Sequence, residues 1–114
     1  MSLPALLEVA KELLSSSLVE GVEFLGTKVR ARLVEGYILD VYYNATLKKY
    51  SYTIAKGNRR VFGWDNAPHH KHVETYPHHF HELSGKISPS QNMKGDPTVD
   101  IKAVLRETKK KLNL

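Results

Sequence analysis

The chain has no cysteine. This excludes a disulfide framework, a Cys-ligated zinc site, a thiol nucleophile and an iron–sulfur cluster. It fits a reducing, cytoplasmic setting. No apolar run approaches the roughly 20 residues of a membrane span. The start, Met1-Ser2-Leu3-Pro4, lacks the basic residues and long apolar stretch of a secretion signal. A cytoplasmic protein without a membrane partner is expected. Histidine is missing from nearly the whole chain: all six lie in the thirteen positions from His69 to His81.

The 114 residues suit one domain, 1–114. With 41% hydrophobic and 25% charged residues the chain can form a core without staples, so global disorder is excluded. The 17 Lys+Arg against 12 Asp+Glu give a formal charge of +5 with histidine neutral. Such a balance speaks about association with anions, not about fold.

Leu3, Leu6, Leu7, Ala10, Leu13 and Leu14 recur at helical spacing, and Ser2 is placed to cap them. Period two follows. Val29, Ala31 and Leu33 share a face against Lys28, Arg30 and Arg32, and Tyr37, Leu39, Val41 and Tyr43 share another. A three-residue turn Val34-Glu35-Gly36 with Gly36 left-handed pairs Val29 with Val41 and Ala31 with Leu39. A strand from Lys48 to Lys56 and one from Arg59 to Asp65 flank a two-residue Gly57-Asn58 loop. That register predicts Ile54 opposite Val61, Tyr52 opposite Gly63 and Ser51 opposite Trp64. A second helix is predicted from the Asp96 cap and Pro97, with Ile101, Val104, Leu105, Thr108 and Leu112 inward. Its last turns carry Arg106, Lys109, Lys110 and Lys111, which either complement the helix dipole or contact RNA phosphate. The expected fold is α+β: an N-terminal helix, a four-stranded antiparallel meander, a His-rich loop and a C-terminal helix.

The histidine segment holds Pro-His-His-x-His twice, at Pro68 to His72 and Pro77 to His81. Three readings are open. The leading one is general acid–base chemistry on RNA without metal or cofactor. Cleavage by an adjacent 2′-OH needs a base, an acid and positive charge, and imidazole titrates near neutrality. One of His78 or His79 pairs with His69 or His70 as base and acid, and Asp65 orients them. Arg30, Arg32, Arg59, Arg60 and Lys71 supply charge, and Tyr52, with Tyr50, Tyr76 or Trp64, stacks bases.

The alternative is a divalent transition metal (zinc, nickel or copper). In extended chain His70 with His72 and His79 with His81 each form a pincer, which Asp65, Glu74 or Glu82 completes. The third is structural: a loop laid over the sheet, with Asp65 and Asn66 only shaping a turn, or a surface that inhibits its target by occupancy. The six imidazoles form one coupled titrating patch in each case.

Tyr50-Ser51-Tyr52, Trp64-Asp65-Asn66-Ala67-Pro68-His69-His70 and Pro77-His78-His79-Phe80-His81 together resemble the TumE-type toxin family of prokaryotes. The resemblance runs from about Tyr37 to Gln91. It covers Asp65, Asn66, His69, His70, His78, His79 and His81; Trp64 stands where the family often has tyrosine. It implies the toxin of a toxin–antitoxin pair, whose antitoxin partner is often of helix-turn-helix type. Ribonuclease activity is inferred from the histidines and basic strands, not from the resemblance. A meander with an uncovered edge also invites a homodimer.

Overall fold

Period-two alternation needs a partner on each side to become a sheet, and the chain supplies more strands than its clearest alternation suggests. The computed structural model describes residues 3–114. Its elements are α1 (Leu3–Leu14), β1 (Val19–Leu25), β2 (Lys28–Leu33), β3 (Tyr37–Asn44), β4 (Lys49–Lys56), β5 (Arg59–Asp65), β6 (His79–His81), β7 (Ile87–Pro89) and α2 (Pro97–Leu112). The strands form one antiparallel sheet in chain order, so the meander has seven strands and not four.

The three extra strands lack a period-two signature. In β1, Glu20, Gly21 and Glu23 interrupt the apolar pattern and the ladder is irregular between Val19 and Gly21. Strands β6 and β7 span three residues each, too few to show a period, and exist by pairing outward from β5. Pro89 sits on the outer edge, where a missing N–H costs no ladder bond.

The β2–β3 register is the expected one, with Val29 opposite Val41 and Ala31 opposite Leu39. Gly36 is left-handed (φ 81) and so is Glu35 (φ 62). The β4–β5 register differs. Gly57 has the expected positive φ of 63, but a bulge after Arg60 leaves Val61 without a partner. Ile54 then faces Phe62, Tyr52 faces Trp64 and Ser51 faces Asp65. The reason is hydrophobic. Without the bulge Phe62 and Trp64 lie on the polar face with Thr53 and Ser51. One extra residue turns them over to the core, where Phe62, Trp64 and Phe80 pack at ring separations of 5.1–5.8 Å.

The same shift puts Gly63 opposite Thr53. A β-carbon there would lie 2.7 Å from the Tyr52 carbonyl oxygen. Gly63→Ala is therefore expected to force β4 and β5 apart and to cost about 1–3 kcal/mol, read as a lowered midpoint in urea.

Both helices cover one face of the sheet. α1 packs on β1, β2 and α2, and α2 reaches β4. Leu6, Val9 and Leu13 of α1 are fully buried, each adding roughly 1.5–3 kcal/mol of apolar transfer. The buried stripe is rotated from the expected one: Leu3, Leu7 and Leu14 are exposed, and Val9 takes their place. An apolar run wider than one face leaves that rotation to its neighbours. Ser2, the expected cap, lies outside the described residues.

α2 begins as expected, with the Asp96 side chain accepting from Thr98 N and Pro97 in the first turn. Its buried residues include Ile101, Val104 and Thr108, as expected, and also Asp100. No helix among the described residues is long and apolar enough to cross a membrane.

Candidate functional site

The face of the sheet away from the helices is polar. Cross-strand neighbours point to the same side, so two rows can be followed across it. One runs Lys28, Tyr42, Ser51, Asp65, His79; the other runs Arg30, Asp40, Thr53, Gly63, His81. At about 4.8 Å per strand the rows extend roughly 19 Å from β2 to β6. Basic residues begin them and histidines end them.

At the histidine end four side chains meet. His79 Nε2 lies 2.9 Å from Asp65 Oδ1 and His81 Nε2 lies 3.0 Å from Asp65 Oδ2. The two Nε2 atoms are 2.9 Å apart. His70 approaches from the loop, its ring 4.7 Å from His79 and 5.8 Å from His81, edge-on to both. One nitrogen from each of His70, His79 and His81 falls within a common 4.8 Å. His79 is 1% exposed and its Nδ1 donates to the Pro77 carbonyl at 3.0 Å.

Local sequence explains the assembly. His79 and His81 are two apart on a strand, so they share a face. Asp65 ends β5 directly opposite His79. Asp65 Oδ1 also accepts from Ala67 N at 2.9 Å, and Asn66 clasps β4 by accepting from Tyr50 N and donating to Lys48 O. Asp65 therefore shapes the turn and contacts the histidines at once, while Asn66 shapes the turn alone. The loop from 66 to 78 is held by buried Val73 and by Thr75, whose hydroxyl donates to His78 O and accepts from Ser90 N. Those anchors set His70 over β6.

Charge follows from burial and neighbours. Desolvation, then the neighbouring His79 and His72, push the His70 imidazole below its ordinary value, against Asp65. Desolvation also lowers His81, with Arg60 and His79 acting the same way and Asp65 opposing. Both rings are thus biased to the neutral form with a free lone pair.

The expected residues do not all converge. Asp65, His70 and His79 meet, and His81, expected only as a metal ligand, joins them. His69 is exposed and lines a cavity of about 380 Å³ with Tyr42, Lys49, Ser51 and Asp65. His78 points elsewhere: its Nδ1 meets the Tyr50 hydroxyl at 2.8 Å, beside Lys94 and Gly95. His72 is exposed, 6.0 Å from His70 ring to ring, and is not among the converging nitrogens. Glu74 is exposed and Glu82 lines a helix-side cavity with Phe62 and Trp64.

Tyr52 is not placed to stack a base. It is 1% exposed, packs on Tyr50, and donates its hydroxyl to Asp100 at 2.7 Å. Tyr50 and Trp64 are buried as well, while Tyr76 is exposed. The ring that does lie on the open face is Tyr42, which period two on β3 could have revealed. It joins the His69 cavity to a second of about 450 Å³ lined by Lys28, Asp40, Ser51 and Thr53.

Arg59, Arg60 and Lys71 are exposed. Arg60 is close enough to act on His81 and Lys71 adjoins His70, whereas Arg59 sits opposite Lys56 at the far, hairpin end of β5. Arg32 lies exposed across Gly21 on β1. Arg30 is engaged: it donates to Asp40 through Nε at 2.8 Å and through a terminal nitrogen at 2.9 Å, with Lys28 adding a bond of 3.1 Å. Burial alone raises the Asp40 carboxyl, but these donors outweigh it and hold the group below its ordinary value. A depressed carboxyl contributes stability above the unfolded-state pKa and loses it as pH falls through the folded one. Asp40→Asn is therefore expected to cost about 0.5–1 kcal/mol at neutral pH, because the cations are partly solvated. That difference should vanish in strong acid when melting is followed against pH.

Residues 7–112 match the family model described as Toxin TumE, and the chain belongs to that family. No curated protein and no solved structure matches it.

Proposed function

We propose that the chain acts as a toxin by breaking RNA phosphodiester bonds at the centre formed by Asp65, His70, His79 and His81. One observation carries this reading: the imidazoles gather on a carboxylate at the end of an open polar face that bears lysine, hydroxyls and a tyrosine ring. Attack of a 2′-OH on the adjacent phosphorus releases one proton, and the departing 5′ oxygen takes one up as the P–O bond breaks. His70 and His81 reach solvent and are biased to the neutral form, so one of them accepts the 2′-OH proton and the imidazolium so formed returns a proton to the 5′ oxygen. Asp65 and buried His79 hold them in place. Arg60 and Lys71 lie where backbone charge approaches, and Tyr42 offers a face to a base.

The test is incubation of purified, untagged protein with total RNA, once after chelation and once with zinc(II) supplied. Cleavage is expected in at least one condition and is expected to be lost in the His70→Ala/His81→Ala double variant. His78→Ala should retain cleavage to within about threefold, since His78 contacts Tyr50 and not the centre. Intact RNA in both conditions, with folded protein, removes the reading. The partner implied is an antitoxin; a helix-turn-helix antitoxin and a homodimer through the β1 edge are further expectations, checked by co-purification and by mass in solution.

A further inference from the structure

We propose that His70, His79 and His81 bind one divalent transition-metal ion, with the Asp65 carboxylate beside His79 and His81. The inference rests on the geometry used above but not on RNA being the substrate.

The argument is a count of protons. The Pro77 carbonyl can only accept, so His79 Nδ1 carries a hydrogen. In the neutral ring Nε2 is then a bare lone pair. It faces Asp65 Oδ1 at 2.9 Å and His81 Nε2 at 2.9 Å. His81 Nε2 can hold one hydrogen, yet it stands 3.0 Å from Asp65 Oδ2 as well. One proton therefore serves a cluster of four lone-pair atoms, the two Nε2 nitrogens and the two Asp65 oxygens, with His79 buried and His81 and Asp65 at the rim. A cation at their focus satisfies all of them at once.

Three further features agree. Tetrahedral ligands about 2.0–2.1 Å from an ion stand roughly 3.3–3.4 Å apart, and the three nitrogens, all within 4.8 Å, bracket that spacing. A backbone carbonyl on the far nitrogen of a ligating histidine fixes its tautomer and rotation, as outer partners of metal ligands do. Three imidazoles and one carboxylate favour zinc, cobalt, nickel or copper over magnesium or calcium, which take oxygen. When bound, such an ion would supply Lewis-acid charge beside the Asp65 carboxylate.

The experiment uses untagged full-length protein stripped with chelator and titrated with cobalt(II) and zinc(II). The visible bands of tetrahedral cobalt(II) are expected to saturate at one equivalent and to be displaced by zinc(II). His81→Ala and His79→Ala should weaken binding by more than the roughly 10–100-fold that an outer partner contributes. Should His79→Ala fail to fold, His81→Gln at the more exposed rim carries the test, with circular dichroism as the fold check. His72→Ala and His78→Ala are expected to bind as the parent does.

Folded parent protein that takes up neither ion, or His81 variants that bind unchanged, overturns the proposal. Cleavage of RNA without metal uptake removes this inference and leaves the RNA reading standing. Metal uptake without cleavage does the reverse.

Discussion

Asp65→Asn is expected to lower RNA cleavage by about 10²–10⁴-fold while the protein stays folded. The amide keeps the shape of the carboxylate, and its oxygen can still accept from Ala67 N, so the turn into the loop survives. What disappears is the negative charge between His79 and His81, each about 3 Å from a different Asp65 oxygen. The amide nitrogen is a donor and must face at least one of those rings. A donor there turns an Nε2 lone pair away from the substrate or the ion. Cleavage rate and melting temperature measured together separate this from simple unfolding. A variant within twofold of the parent rate would show that Asp65 only shapes the turn.

Asp100→Ala is expected to have the largest effect on stability, about 3–5 kcal/mol. Asp100 is 1% exposed and accepts from the Tyr52 hydroxyl at 2.7 Å, Lys94 N at 2.8 Å and Gly95 N at 2.9 Å. It thereby ties β4, the segment before α2 and α2 itself to one point. Burial, then Asp100, push the Tyr52 hydroxyl far above its ordinary value, so it remains a donor at any ordinary pH. Alanine leaves three donors unpaired in a dry region, and each lost partner costs about 1–3 kcal/mol. Thermal melting should fall by roughly 10–20 °C. Tyr52→Phe removes one donor together with its hydroxyl and should cost only about 1–2 kcal/mol. Equal losses in the two variants would contradict this account.

Asp100 also marks a limit of periodicity. In the sequence it is a polar residue in the first turn of a helix, where a carboxylate is ordinary. Its burial depends on Tyr52, 48 positions earlier in the chain. The β2–β3 hairpin was legible because turn and alternation agree on one register, whereas α1 was legible as a helix but not in its rotation.

The sequence by itself determined that the candidate site belongs to the segment from Asp65 to His81, because no histidine lies elsewhere. It determined the two helices, the inner strands and the shared face of His79 and His81, since these follow from spacing along one element. Only the tertiary structure decided which residues meet. The bulge at Val61 turns Phe62 and Trp64 inward and, by the same one-residue step, turns Asp65 outward onto His79. Filling the core and assembling the site are therefore one event, governed by contacts between strands. The loop then brings in His70 and leaves His78 with Tyr50. Adjacent residues such as His78 and His79 look equivalent in a sequence, and a strand's alternation sends them to different surroundings.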